Sequence, residues 1–386
     1  MKKHSYLFIL LMVMGTFACK ERFNPPEVDT NLNYLTVEGL INTSGIDSTI
    51  IRVNRTVKLT SKVAIQPELR AILTIESNDN LIKRNLVERG NGIYYALPFA
   101  LDATKQYRLR IRTSGGKEYL SDYTEVKVSP PIDAVGFEAQ TNGVPGVQIF
   151  ANTHDDSNKS LYYKWDFVET YQYNANNFSS YIVENKSFRQ RNLPSEDIFT
   201  CWRNINSNAV VLASSAKLTK DVINKAPILK IPPRNERLEI KYSIIVNQQV
   251  LTKEAFEFWE ILKKNTEQVG SIFDAQPSQL PGNIHSVSNP SEIVIGFISV
   301  GTVQHKRIFI ASQDVPREFR YLNPGACPVD TIASKDFASV FFIANQIPIN
   351  GLGSPGSPVP TAYTTAPTSC IDCRLKGTNI QPAFWQ

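Results

Sequence analysis

Cys19 is the first residue in the chain whose surroundings point to a specific chemistry. It follows two lysines, an apolar run from Tyr6 to Val13, and several small residues. That order is typical of a bacterial export signal that is cut before a cysteine, whose thiol then receives a lipid. The apolar run is too short to span a bilayer, which needs about 20 residues. We therefore expect residues 1–18 to be a lipoprotein signal peptide, with Cys19 as the lipid anchor to a membrane.

The residues around Cys19 depart from the commonest lipidation signal. Thr16 stands where leucine is preferred, and Phe17 is bulky where a small residue is usual. The following Lys20 and Glu21 resemble the lysine-acidic export signal of surface lipoproteins in the Bacteroidota, which tolerate such departures. This resemblance implies that the protein lies in the outer membrane and faces the extracellular side. The alternative is a plain secretory signal whose cut site happens to contain a cysteine.

The other four cysteines suggest cross-links rather than a reactive site. An even number of cysteines in an exported chain predicts two disulfides, because the compartment is oxidising. Four cysteines allow three pairings; we expect Cys327 to bond to Cys370 or Cys373, with Cys201 taking the other. A zinc site is the alternative, since Cys370 and Cys373 have ligand-like spacing. The chain has no second pair with that spacing, which disfavours zinc.

No sequence motif predicts catalysis or a bound metal or cofactor. The nucleophile elbow, the zinc-protease helix, the phosphate-binding loop and the dinucleotide-binding glycines are all missing from the sequence. His285 and His305 have no Ser, Cys or Asp nearby in sequence that would suggest a triad. The acidic stretch 154–159 could be a calcium loop, but it lacks the required glycine and distal glutamate, so we interpret it as a solvated turn. We therefore expect a non-enzymatic protein, although a carboxylate pair that is distant in sequence stays open.

Net charge and composition limit the classes of partner that the chain is expected to bind. Residues 1–18 contain two lysines and no acid, so removing them lowers the formal net charge from +5 to +3. This small charge, without any long basic run, predicts no nucleic-acid binding. With 42% hydrophobic and 20% charged residues the chain is globular. Its 386 residues suggest two or three domains, and no second apolar stretch reaches the length of a membrane span.

The elements that must position these residues are mostly β-strands. Residues 19–33 contain two prolines and polar residues and are expected to be a tether. From Tyr34 to Ser129, short strands of period two alternate with turns, which predicts an Ig/fibronectin-like β-sandwich. Pro130 and Pro131 mark the boundary to a second sandwich at 130–315, in which Trp165 is expected to pack the core.

Three features interrupt or follow the second sandwich. Residues 171–200 mix Tyr, Asn, Ser and Phe, and we interpret them as a long insertion. A helix is expected near 252–268, with Thr252 as its N-cap and a buried stripe that contains Phe258 and Trp259. Residues 316–386 are expected to be an irregular C-terminal tail held by the cysteines, with aromatic side chains docking at its end.

The succession of motifs after Leu251 resembles a family of Bacteroidota lipoproteins known only as a domain of unknown function, number four-two-four-nine in that series. The motifs are Ala255–Trp259, Gly282–Ile284, Ile295–Ser299, Cys370–Arg374 and the final Phe384-Trp385, together with the earlier Cys201-Trp202. Lys376-Gly377 replaces the usual Gly-Gly before Thr378, a minor departure. The resemblance implies an outer-membrane lipoprotein that often accompanies TonB-dependent receptors, and it supplies no catalytic residue.

Three functions follow as expectations. The first is a surface-exposed accessory lipoprotein that helps a TonB-dependent outer-membrane β-barrel to capture or take up a ligand. The second is a structural, assembly or adhesion subunit of a cell-envelope complex, since Ig-like modules often serve such roles. The third is a surface hydrolase. The sequence does not identify the ligand.

Overall fold

The computed structural model describes residues 33–57, 65–184, 187–267, 282–322, 327–333, 345–353 and 360–385, with Asp336 and Phe341 as single residues. Cys19, the signal peptide and most of the tether lie outside these ranges. The architecture is mostly β, as the sequence predicts. Within the described ranges, no helix has the length and apolar character needed to cross a membrane.

The first ten strands belong to the N-terminal part of the chain. They are β1 (Leu35–Asn42), β2 (Thr49–Arg55), β3 (Gln66–Pro67), β4 (Ile72–Ser77), β5 (Lys83–Asn85), β6 (Val87–Glu88), β7 (Ile93–Ala96), β8 (Gln106–Arg112), β9 (Glu118–Ser121) and β10 (Thr124–Glu125).

Nine strands follow. They are β11 (Ile132–Gln140), β12 (Gly146–His154), β13 (Tyr162–Asn174), β14 (Tyr181–Glu184), β15 (Ser187–Gln190), β16 (Thr200–Asn206), β17 (Val211–Ser214), β18 (Val222–Ile231) and β19 (Lys241–Val250).

The remaining elements include two α-helices, α1 (Lys253–Glu267) and α2 (Thr368–Ile371). The last strands are β20 (Ile284–Ser286), β21 (Val294–Gly301), β22 (Val303–Ala311), β23 (Asp330–Ala333), β24 (Gln346–Leu352) and β25 (Ala362–Pro367). Short 3-10 turns occupy Glu236–Leu238, Ser312–Asp314, Arg317–Phe319 and Cys373–Leu375.

The N-terminal unit consists of two six-stranded sheets that share one apolar core. One sheet has the order β21-β1-β2-β7-β6 with β3 beside β2, and the other has the order β20-β9-β8-β4-β5 with β10 beside β8. Strand β8 shows why the pattern folds this way, since its apolar side chains alternate inward. Its outward Arg108 and Arg110 instead pair with the carboxylate of Glu76, 2.8 Å from each guanidinium.

β21 and β22 follow each other in the chain but do not pair with each other. β21 pairs in parallel with β1, placing Val294 opposite Leu35, and β20 pairs with β9. Both strands therefore belong to the N-terminal unit rather than to the second sandwich at 130–315. Only Thr302 separates β21 from β22, whereas a hairpin turn between paired strands needs at least two residues. The chain therefore passes from one sheet into another at Thr302.

The middle unit packs a three-stranded sheet, β11-β12-β18, against a five-stranded sheet, β16-β13-β19-β22, with β17 beside β13. Trp165 on β13 is fully buried in their shared core, as expected. Its indole nitrogen donates to the Gln248 side-chain oxygen at 3.0 Å, and the Gln248 amide donates to the Pro130 carbonyl at 2.8 Å. This buried glutamine therefore joins strand β19 to the segment that enters the unit.

Part of the predicted insertion at 171–200 is instead the end of β13. Tyr171 and Tyr173 lie on this strand and are only 3% and 2% exposed. Their hydroxyls find partners inside the protein, which makes burial of tyrosine acceptable: Tyr173 donates to the Cys373 carbonyl at 2.7 Å. Gln172 and Asn174 are less buried than the tyrosines, so this end of β13 follows the period-two pattern of a strand. The hairpin β14–β15 accounts for the middle of the segment.

Helix α1 begins where the sequence predicts. The Thr252 hydroxyl accepts a hydrogen bond from the Ala255 backbone at 3.2 Å, so Thr252 caps the first turn. Ala255 and Phe258 are buried, while Trp259 and Leu262 are partly buried. The stripe packs near Phe297 on β21, with the Phe258 and Phe297 ring centroids 5.7 Å apart. Residues 268–281, which contain the predicted end of the helix, lie outside the described ranges.

The C-terminal tail has more regular structure than its composition predicts. β23, β25 and β24 form a three-stranded sheet, where we expected irregular chain at 345–369. Gly, Pro, Ser and Thr are abundant there, but Ile349, Cys370 and Ile371 form a small core with Ile198. This core, rather than strand propensity alone, stabilises the short sheet.

One disulfide joins the tail to the middle unit, and a second closes a loop within the tail. Cys201 is bonded to Cys373, and Cys327 is bonded to Cys370. The structure thus selects one of the two pairings that the sequence left open. Of the last two aromatic residues, Trp385 is buried against Trp202 and Phe309, whereas Phe384 is exposed with the Arg307 guanidinium over its ring.

Candidate functional site

A cleft of about 390 Å³ lies between the N-terminal unit and the middle unit, and we refer to it as the interunit cleft. One wall is the outer face of β1 and β2, where Glu38 is opposite Arg52. The other wall is the outer face of β13, β19 and β22. Trp259 of helix α1 also lines the cleft. The arrangement therefore uses the solvent-facing sides of two sheets whose inner sides form the two cores.

Three side chains form a row across the wall of the middle unit. Asp166, Asn247 and His305 are register partners on β13, β19 and β22. The Asn247 amide donates to Asp166 at 2.6 Å, and the Asn247 side-chain oxygen lies 2.7 Å from Nδ1 of His305. Because the strands are adjacent, the backbone ladder fixes the spacing of these side chains.

Asp47 extends this row to the N-terminal unit. Its carboxylate lies 3.1 Å from Nε2 of His305. The loop that carries Asp47 is held by the Ser44 hydroxyl, which accepts a hydrogen bond from the Asp47 backbone at 3.2 Å. Both ring nitrogens of His305 thus lie within hydrogen-bond distance of side-chain oxygens, one of Asn247 and one of Asp47. The contact spans the cleft and joins the two units.

Lys164 is the most buried of the charged side chains that line the cleft. Only 12% of its side chain is exposed, and its ammonium lies 3.9 Å from the Asp166 carboxylate and 4.5 Å from the Trp259 ring centroid. Burial lowers the pKa of the Lys164 ammonium, and the negative charges of Asp166 and Glu38 oppose this effect. The site therefore holds a poorly hydrated cation beside an aromatic face.

A second compartment, of about 350 Å³, adjoins the interunit cleft. Glu38, Arg52 and Trp259 line both spaces. Beyond Trp259 the lining becomes more apolar and includes Phe258, Leu262 and Phe297. The two compartments together offer a polar surface and an apolar surface that meet at Trp259.

Of the residues singled out from the sequence, His305 and Trp259 line this cleft, whereas the four cysteines and the stretch 154–159 do not. Cys201, Cys327, Cys370 and Cys373 are all consumed in disulfides. At 154–159, Asp155 accepts hydrogen bonds from the backbone of Ser157 and Ser160 and closes a turn. Among the residues that the structure describes, no group of three or more His, Cys, Asp or Glu side chains could hold a metal.

The histidines have acidic neighbours that the sequence did not reveal. His305 contacts Asp47, and Nε2 of His285 lies 3.5 Å from Asp122. Nδ1 of His154 forms a hydrogen bond of 2.8 Å with the Asp133 carboxylate, and this contact raises the pKa of the His154 imidazole. These pairs are formed by residues far apart in the chain, so local spacing carried no signal for them. For the cleft, one signal in the sequence was usable. The alternation in β13 places Lys164 and Asp166 on one face of the sheet and Trp165 on the other face.

Comparison with known proteins adds a family but no activity. A family model described as a domain of unknown function, DUF4249, matches residues 20–307. This range contains all the residues that line the interunit cleft. A search of curated proteins gave no match.

Proposed function

The chain belongs to the DUF4249 family, and from this membership we propose that it is a surface-exposed, non-enzymatic lipoprotein of the outer membrane. Its role is that of an accessory binding component, which captures a ligand for a TonB-dependent β-barrel transporter. Cys19 carries the lipid anchor in this proposal. The export-like N-terminus supports the anchor, and the family resemblance supports the transporter as partner.

The interunit cleft is the observation that carries the binding role. Its polar walls are already assembled through Asp47, His305, Asn247 and Asp166. A preformed cleft favours binding because little side-chain ordering is needed when the ligand enters. Since both units contribute walls, a bound ligand would touch residues from distant parts of the chain.

Pull-down of the tagged full-length protein from detergent-solubilised membranes tests the proposal. We expect an outer-membrane β-barrel to be recovered with the tagged protein. The assembly alternative predicts envelope subunits without a transporter, and a deletion strain separates the two further. Loss of growth on one nutrient supports uptake, whereas general sensitivity to envelope stress supports assembly. Recovery of no β-barrel would contradict the transporter association.

The lipid anchor has its own test. Cys19→Ala removes the thiol that would carry the lipid, so we expect the variant to leave the membrane fraction. Cys327→Ala, which removes a disulfide cysteine outside the signal, serves as the control and should stay membrane-bound. If Cys19→Ala still fractionates with the outer membrane after a carbonate wash, a tight protein partner rather than a lipid holds the chain.

A further inference from the structure

The ammonium of Lys164 has no hydrogen-bond acceptor among the described residues. A lysine has three N–H donors, and leaving them unmet in a partly buried position is costly. The Asp166 carboxylate is 3.9 Å away, too far for a hydrogen bond, and Trp259 offers only its ring face. Because the side chain borders the interunit cleft, a ligand oxygen that enters the cleft can accept from this ammonium.

The charges around Lys164 disfavour a ligand with a net charge. Glu38, Asp47 and Asp166 contribute three carboxylates to the lining, against the two cations Lys164 and Arg52. An anionic ligand would face the carboxylates, and a cationic ligand would face Lys164 and Arg52. A neutral ligand with many hydroxyl groups avoids both conflicts, since each hydroxyl donates to a carboxylate and accepts from an ammonium or guanidinium.

The position of Trp259 indicates that the ligand also has an apolar surface. Its indole separates the polar interunit cleft from the compartment lined by Phe258 and Leu262. A pyranose ring has C–H faces that pack against an apolar or aromatic surface, while its rim carries hydroxyls. Both surfaces meet in this site, whereas a purely polar polyol would leave the apolar side unused.

We propose that the interunit cleft binds a neutral carbohydrate, with Lys164 donating to its hydroxyl or ring oxygens and Trp259 packing against a sugar face. This inference rests on the proposed ligand-capture function and specifies its ligand class. Arg52 and its register partner Glu38 line both compartments.

Probing an array of neutral, acidic and amino glycans with the full-length protein tests the ligand class. We expect neutral glycans to bind, and the best of them is then titrated by calorimetry. Lys164→Met keeps the aliphatic stem and removes the donors, so its affinity should fall about 10- to 100-fold. Lys253→Met is the matched control: Lys253 lies on α1, its side chain is 65% exposed and pairs with Glu257, and its loss should leave affinity unchanged.

The thermal midpoint of each variant establishes whether it is folded, and Lys164→Gln provides a second test if Lys164→Met is not. Preference for acidic glycans, binding to none, or equal affinity of a folded Lys164 variant would overturn the proposal. The pull-down distinguishes the two ideas. A protein that recovers the β-barrel but binds no neutral glycan refutes the ligand class alone, whereas one that binds glycans without recovering a β-barrel refutes only the transporter association.

Discussion

At the scale of single residues, two carboxylates of the middle unit make the stability of the protein depend on pH. Glu169 is 2% exposed, and burial raises the pKa of its carboxyl even though Arg237 and Tyr242 contact it. Glu239 is half-buried, and burial together with the nearby charge of Glu236 raises the pKa of its carboxyl to about 7. Both groups hold a proton more tightly in the folded protein than in the unfolded chain.

We predict that Glu239 makes the protein less stable as pH rises from about 4.5 to 7. Its folded-state pKa lies above the ordinary value of 4.5, so its contribution is complete below 4.5 and is lost as pH passes through 7. The loss is less than the full conversion of roughly 1.4 kcal/mol for each pKa unit, because solvent screens this half-exposed group, and we expect about 1–2 kcal/mol. We measure the free energy of unfolding by denaturant titration at pH 5 and at pH 8. It should fall less between these pH values in Glu239→Gln than in the unchanged protein.

Glu318→Gln is the control for this prediction, because Glu318 is exposed on a short 3-10 turn. The free energy of unfolding of Glu318→Gln should fall between pH 5 and pH 8 by the same amount as that of the unchanged protein. The explanation through Glu239 fails if Glu239→Gln and Glu318→Gln give the same pH dependence.

At the scale of elements, the parallel pair β1–β21 depends on a glycine. Gly296 adopts φ +143°, and a Cβ built there would lie 1.9 Å from the Val37 carbonyl oxygen on β1. Any side chain would therefore push the two backbones apart. The close approach explains why β21 contains a glycine between its apolar residues.

We predict that Gly296→Ala destabilises the protein by about 3 kcal/mol or more, because it adds backbone strain to a steric clash. The measurement is the free energy of unfolding from denaturant titration. Gly115→Ala is the matched control: its nearest neighbour would be 4.0 Å away, in a hairpin turn, so its effect should stay within about 1 kcal/mol. Equal losses in the two variants would show that the contact with Val37 does not matter.

Much of the secondary structure was predictable, because inward residues alternate so regularly in strands such as β8 and β13. The same alternation would have placed Lys164 and Asp166 on an outer face. Their partners were not predictable: Asp47 contacts His305 across 258 residues of sequence, and β1 pairs with β21 through a tertiary arrangement. Period two identifies strands but not their neighbours. Tail composition likewise concealed the small core around Ile371 that stabilises β23–β25.

At the scale of the whole molecule, two disulfides tie the C-terminal part to the middle unit and to itself. Cys201–Cys373 closes a sequence separation of 172 residues, and Cys327–Cys370 closes one of 43. The longer loop loses more freedom in the unfolded chain when it is closed. The two bonds therefore differ in their expected contribution to stability.

We predict that replacing Cys201 and Cys373 together with serine costs about 1 kcal/mol more than replacing Cys327 and Cys370, according to the chain-entropy relation. Denaturant unfolding of the two double variants measures the difference, and each serves as the control for the other. Mass spectrometry of the mature protein without reductant should find no free thiol. Four alkylatable cysteines would contradict the structure, and a reversed order of stability would contradict the loop-length argument.

The crossing of the chain at Thr302 has a consequence for how the protein is made. The N-terminal unit obtains β21 and the middle unit obtains β22 from one late stretch, residues 294–311. If the chain is exported as we propose, its N-terminus emerges first, so neither unit can close until this stretch has cleared the secretion channel. Long-range pairings of this kind also form slowly. In the export that we propose, the periplasm would therefore receive an incomplete, exposed chain, and its holding chaperones would protect it until the two sandwiches close together.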